Sequence, residues 1–449
     1  MFSRVLQGAW TRHDWWSPGR WRRRLAYWGG AILVGLAAVA FAWACDAAFD
    51  LFERLRAQHR AWPLLVTPLT FVALVWVTQG RLAATRGSGI PQVKAALSTG
   101  DGAWRAGLLS LRVALAKMGL TVLAMGGGAS VGREGPTVHV GASLLFVVGR
   151  RFGFTDQVNG RHLVLAGAAA GIAAAFNAPL AGVVFAIEEM AGAFEERMSG
   201  VLLTAVIVAG VTAIGLHGDY AYFGQVEAGL PLGQAWLAVL VIGLVCGFGG
   251  GLFARLILLQ PLPWLLRLPR LGGLSRARGE LLLAAACGLA VAALTLLGGY
   301  DLHGTGYQQA HAIVQGQAGQ DSGGLYALLK FAANVLSYWA GVPGGIFSPA
   351  LAVGAGLGQG LAPWLPGAPL AAVALLGMAG YLAGVTQAPL TAAVIALELT
   401  ANQSLVIPIM ATCLLARGAS TLVCRKPVYG AIAERLLAGH QSAAAARGS

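Results

Sequence analysis

Glu134 is a carboxylate in a stretch of chain that is otherwise almost free of charge, held in Gly132-Arg133-Glu134-Gly135-Pro136 between two glycines with a proline behind it. Glycine beside proline at the head of an apolar run marks a helix N-terminus. The first turn of a helix leaves unpaired N–H groups and carries roughly half a positive charge, so it can seat an anion. Glu134 is a candidate for that anion, or else a static cap on its own helix. Gly345-Ile346-Phe347-Ser348-Pro349 repeats the turn 213 residues later without the acid, which leaves the N–H groups of Ile346 and Phe347 for a mobile anion. Gly87-Ser88-Gly89-Ile90-Pro91 offers a third opening, with a hydroxyl in place of a charge. The chemistry implied is reversible binding of an anion by neutral donors, with one carboxylate able to compete for the seat.

The elements that must position these motifs come in duplicate. Ala178-Pro179-Leu180 opens a run ending in Glu188, and Ala388-Pro389-Leu390 opens one ending in Glu398, 210 residues on. Gly87-Ser88-Gly89 is set against Gly304-Thr305-Gly306 at a separation of 217. Three pairs in the same order describe two halves of one architecture, a common construction of membrane transporters.

Hydrophobic residues make up 57% of the chain and charged ones 11%, against about a quarter charged in a soluble domain. Ala31 to Cys45, Trp62 to Thr78, Val201 to Leu216, Ala235 to Leu259 and Leu281 to Leu297 are long enough, or nearly so, to cross a hydrocarbon core as helices, which takes about 20 residues. Lipid offers the backbone no partners, and the chain lacks the alternation a barrel needs. The 64 glycines cluster at interruptions of the apolar segments, as at Gly126 to Gly128 and Gly354 to Gly358, and for most of them close helix packing is the expected role, with helix breaks as the alternative. The fold class is therefore an all-α polytopic membrane protein with two repeats of tilted, partly discontinuous helices. Residues 29–220 and 221–437 are the repeats, 1–28 a cytoplasmic basic N-terminal segment, and 438–449 a disordered C-terminal tail.

Arg4, Arg12, Arg20, Arg22, Arg23 and Arg24 against Asp14 place the N-terminus in the cytoplasm by the positive-inside rule. Arg267, Arg270, Arg276 and Arg278 are expected on the same side. The loop from Glu53 to Arg60 is mixed in sign, as inverted topology of the two halves predicts. Membrane topology accounts for the net charge of +13 better than nucleic acid does. Trp10, Trp15, Trp16, Trp21 and Trp28 mark the membrane surface. Cys45, Cys246, Cys287, Cys413 and Cys424 show neither zinc nor disulfide spacing. No His-Glu-x-x-His or Gly-x-Ser-x-Gly run supports an intramembrane enzyme.

With these motifs in order, the chain resembles the CLC family of chloride channels and chloride/proton antiporters, from about Ala31 to Leu437. Asn177-Ala178-Pro179-Leu180-Ala181-Gly182, Glu188-Glu189-Met190 and Lys426-Pro427-Val428-Tyr429 also match family segments. The resemblance implies that the Ser88 and Tyr429 hydroxyls and the Ile346 and Phe347 N–H groups hold the central anion. It makes Glu134 the gating glutamate and external proton carrier and Glu189 the internal one. It sets Lys117 below the anion path, with Gly132, Arg133, Gly135 and Pro136 in support.

Read without the family, adjacent Glu188 and Glu189 cannot both face one side of a helix. One is expected in a structural ion pair and the other toward a proton route. Lys117 is equally a snorkelling lysine, and Tyr429 an interface aromatic. Gln92 stands where many relatives have an acid. The resemblance further implies chloride/proton antiport, with a passive voltage- or pH-gated chloride channel as the alternative. It implies chloride as substrate, no cofactor or metal, and a homodimer of prokaryotic type without a domain after Leu437. That dimer would lie in the inner (plasma) membrane with both termini cytoplasmic.

Overall fold

A computed structural model describes residues 18–154, 157–191, 199–218, 221–267, 274–317 and 323–448. Arg4, Trp10, Arg12, Asp14, Trp15, Trp16 and Arg270, and the side chains of Arg20, Arg22 and Arg23, lie outside the described residues.

The described chain is helical. In the first half run α1 (Pro18–Gln58), α2 (Pro63–Thr78), α3 (Ile90–Ser98), α4 (Gly102–Leu108), α5 (Leu111–Gly126), α6 (Glu134–Arg151), α7 (Gln157–Phe176), α8 (Pro179–Phe185, continued by a π-helical turn Ala186–Ala191) and α9 (Ser199–His217). The second half holds α10 (Leu237–Leu258), α11 (Pro261–Leu265), α12 (Arg276–Gly298), α13 (Tyr307–Val314), α14 (Gly323–Trp339), α15 (Phe347–Leu361), α16 (Leu370–Thr386), α17 (Pro389–Thr400), α18 (Val406–Val423) and α19 (Val428–Gly448). Among the described residues, six stretches are long and apolar enough to cross a membrane: Arg24–Gln58, Gly102–Gly126, Gly200–His217, Gln234–Leu258, Arg276–Gly298 and Val406–Val423. The shorter apolar helices α2, α7, α16 and α17 stand among them. The helix at the centre, α16, is buried from Ala372 to Thr386, as a helix apolar on every side must be.

The repeat seen in the sequence is physical. Helix α6 crosses α7 at Gly141 and Gly167, and α15 crosses α16 at Gly354 and Gly377. A methyl group on any of the four would overlap the carbonyl facing it. Small residues let helix backbones touch where lipid gives no hydrophobic drive to associate. Glycines 354 to 358 thus lie inside α15, where close packing rather than a helix break requires them. Gly126 to Gly128 do end α5.

The two halves also close each other's helices. The Glu398 carboxylate accepts from the N–H groups of Leu180 (3.0 Å) and Ala181 (2.6 Å) at the start of α8. The Glu188 carboxylate accepts from the N–H groups of Leu390 (3.1 Å) and Thr391 (2.6 Å), and from the Thr391 hydroxyl (2.7 Å), at the start of α17. Each acid completes a helix N-terminus that proline opens.

Three boundaries differ from expectation. The line drawn at residue 29 falls inside α1. The Glu53 to Arg60 loop is mostly the last turns of that helix, tied by Arg56 to Glu53. The tail from 438 is helical to Gly448, since Ala443 to Ala446 are strong helix formers that extend α19.

Gly377→Ala is expected to lower the unfolding midpoint of the detergent-solubilised protein, at a cost of about 1–3 kcal/mol for an overpacked methyl group. Gly119→Ala, whose added methyl group meets nothing within 4 Å in the interior of α5, should not lower the midpoint.

Candidate anion and proton site

The first and second halves meet at a two-residue antiparallel bridge. Gly132 N–H donates to the Gly345 carbonyl at 2.8 Å, and Gly345 N–H donates to the Gly132 carbonyl at 2.6 Å. The pairing sets the N-termini of α6 and α15 tip to tip. Gly344 N–H donates to the Gly87 carbonyl at 3.1 Å, which brings in the third motif ahead of α3. A Cβ at Gly135 would overlap Ser88 Oγ, and one at Gly345 would lie 2.9 Å from the Gly135 nitrogen. Gly87 and Gly89 hold φ of +62° and +100°, conformations side chains resist.

Buried lysines support the turns. Lys117 Nζ, on α5, donates to the carbonyls of Thr85 (2.8 Å) and Gly87 just before Ser88. Lys330 Nζ, 213 residues later on α14, donates to the carbonyls of Leu302 (2.8 Å), His303 (3.2 Å) and Gly304 (2.9 Å) before α13. Lys117 is fully buried, so it does not snorkel. Its ammonium is committed to backbone oxygens. Gln92 Nε2 donates to the Arg86 carbonyl at 2.7 Å and braces the same turn.

Glu134 is the first residue of α6 and has no exposed surface. Its carboxylate does not cap α6. It folds back over Gly132 toward Pro349, and Oε1 accepts from the Ser348 hydroxyl at 2.5 Å, at the N-terminus of α15. Arg133 turns away: Nη1 donates to Asp46 Oδ1 (2.5 Å) and to the Ala42 carbonyl (3.1 Å) on α1. It lines a cavity of about 390 Å³ with Asp46, Asp50, His217, Tyr222 and Thr305.

Glu134 Oε2, Ser88 Oγ and the Tyr429 hydroxyl are buried polar atoms with no partner within the protein. Among the described residues, the N–H groups of Ile346 and Phe347 donate to no backbone carbonyl. Unpaired buried polar groups cost about 1–3 kcal/mol each and are rare enough to need a reason. The Tyr429 ring stacks on Phe347, centroids 6.0 Å apart and planes 12° apart, and its hydroxyl neighbours that of Ser88. Tyr429 is therefore inside the protein, not at an interface. Four of the residues expected to hold the anion converge with the acid.

Glu189 sits in the π-helical turn after α8, 5% exposed. Lys94 Nζ, on α3, lies 2.5 Å from its Oε1. This corrects the expectation for the adjacent acids: the ion pair belongs to Glu189, while Glu188 caps α17. The extra residue of a π turn, often found at functional sites, changes the direction in which Glu189 points. Tyr429 lies within electrostatic range of both Glu189 and Glu134. Among the described residues no cluster of histidine, cysteine and acids could hold a metal.

A family model described as voltage gated chloride channel matches residues 69–421. The chain belongs to this family, the CLC family. Within it, the chain is 33% identical over 440 residues to the H(+)/Cl(-) exchange transporter ClcA of Cronobacter sakazakii (strain ATCC BAA-894), covering 92% of this chain and 89% of that one. The structure resembles that of a slow cyanobacterial Cl-/H+ antiporter, with a TM-score of 0.79 and 27% identity over 93% of this chain and 98% of the other. A CLC-type fluoride/proton antiporter shares the fold, with a TM-score of 0.74 at 24% identity over 90% and 96% of the two chains. The CLC fold expected from the motifs is present, in a multi-pass membrane protein.

Sequence reading missed Lys330 and Lys94 and assigned no role to Ser348 or Glu398, although it named both. Ser348 stands inside a motif already singled out, and Lys330 and Glu398 fall in the repeat register of Lys117 and Glu188. Lys94 had no such signal. Lys117→Met and Lys330→Met should each lower the yield and unfolding midpoint of the folded protein, because each strands two or three buried carbonyls. Equal stability of either variant and the parent would contradict the bracing role.

Proposed function

We propose that this chain exchanges chloride for protons across a lipid bilayer. The observation that carries the reading is the Glu134 carboxylate lying on the N-terminus of α15, bonded to Ser348, beside the unpartnered hydroxyls of Ser88 and Tyr429. The relative named a H(+)/Cl(-) exchange transporter supports it.

Ser88, Tyr429 and the N–H groups of Ile346 and Phe347 are neutral donors. They replace part of a chloride ion's hydration without holding it too firmly to leave, which transport requires. An ionised Glu134 satisfies the same donors and the same helix end, so the carboxylate and chloride are alternatives. Protonation removes the charge that holds the side chain there, Glu134 gives way, and chloride takes the seat. Glu134 thereby carries the proton to and from the outer side, where Arg133 lines the cavity. Glu189 receives the proton on the inner side, and Tyr429 stands between the two acids. A carboxylate at membrane depth costs roughly 2.5–3.5 kcal/mol on insertion scales, which the two acids justify by use. Gly132, Gly135 and Pro136 shape the turn, and Lys117 holds Ser88 in place. We take the chain to work as a homodimer in the inner membrane with both termini cytoplasmic, without cofactor, nucleic-acid partner or enzymatic chemistry.

A passive chloride channel shares the anion seat but has no use for Glu189. In liposomes, an imposed chloride gradient is expected to pump protons, and chloride flux without proton movement would contradict exchange. Glu134→Ala should pass chloride without coupling. Glu189→Gln should stop protons while chloride still moves, and full coupling in that variant would place the proton route elsewhere.

A further inference from the structure

Helix α3 links two groups of the candidate site. Ser88 precedes its first turn, and Lys94 is its fifth residue, with an ammonium that meets Glu189 Oε1 at 2.5 Å. The Glu189 side chain is 4% exposed and that of Lys94 is 23% exposed. Lys94 is thus the more exposed member of the pair. Among the described residues, Lys94 from α3 and Glu188 from its own turn are the charged groups acting on Glu189, with the Tyr429 hydroxyl of α19 also in range. Glu188 spends its charge on the N–H groups of α17. Helices α7 and α17 also pack on the turn and present no charged group that acts on the acid.

We propose that Lys94 is a positioning residue that fixes the Glu189 carboxyl at the inner end of the site and favours its ionised form against the burial that opposes it, and so sets the pH at which the chain takes up a proton. The inference rests on the reading of Glu189 as the inner proton acceptor. A cation within about 4–6 Å favours the ionised form of a carboxyl group, typically by one to three pH units. With the ammonium in place, protonation must release the ion pair before the proton can pass inward. Because Lys94 lies on the helix that presents Ser88, that release is transmitted through one short rigid element to the anion seat.

The test is chloride-driven proton flux into liposomes, with pH varied equally on both faces, alongside chloride flux. Lys94→Gln and Lys94→Met remove the charge, so Glu189 keeps its proton to higher pH. The midpoint of the proton-flux profile is expected to move alkaline by about one unit or more, with chloride flux retained as evidence of folding. Lys94→Arg should keep the parent midpoint. In Lys94→Gln/Glu189→Gln, chloride flux should follow the pH profile of Glu189→Gln alone. An unchanged midpoint in both Lys94→Gln and Lys94→Met overturns the proposal. So does an equal shift in Lys94→Arg, which would make the effect one of packing. If Glu189→Gln itself pumps protons, the reading of Glu189 fails, and that outcome is distinct from a failure confined to Lys94.

Discussion

Everything in this chain is arranged around two helix ends that touch. The reciprocal bonds between Gly132 and Gly345 bring the N-termini of α6 and α15 together, and two such ends repel each other unless negative charge lies between or beside them. Glu134 supplies that charge from one side and reaches across to the other. The same requirement makes the seat suitable for a halide. A carboxylate that is both covalently part of one helix and a ligand of the opposite one is the simplest means of linking a proton to an anion.

The surrounding fold can be understood as what keeps those ends from drifting. The glycine crossings of α6 on α7 and of α15 on α16 fix the direction of each helix. Lys117 and Lys330 fix the turns that precede α3 and α13. Glu188 and Glu398 lock the halves to each other by capping across the repeat. Each device appears twice, once per half, in keeping with a structure assembled from two related units around a shared centre.

The repeat, the helical membrane fold and the anion motifs were legible in the sequence because glycine, proline and a buried acid are positions where lipid and backbone hydrogen bonding allow few alternatives. Ser88, Ile346 and Phe347 stand in those turns, whereas Tyr429 was named only through the resemblance to the family. What could not be read were contacts across the fold. Adjacent Glu188 and Glu189 are told apart only by which neighbour each meets, a helix end or Lys94, and no spacing along the chain encodes that. Whether glycines 354 to 358 open a break or let a helix pass close by could not be decided from the chain, because a glycine run reads alike in both cases. The helical tail after Leu437 was missed because its alanines have no hydrophobic pattern, only propensity.

The central claim is that carboxylate and chloride compete for one seat. Crystals of the Glu134→Gln protein grown in bromide, read by anomalous scattering, test it most directly. The account predicts bromide bounded by the Ser88 and Tyr429 hydroxyls and the Ile346 and Phe347 N–H groups, and a second ion in the place by Ser348 that the carboxylate occupies in the parent. Bromide bound away from these groups, or the same ions at the same sites in the parent with Glu134 still on Ser348, would contradict it.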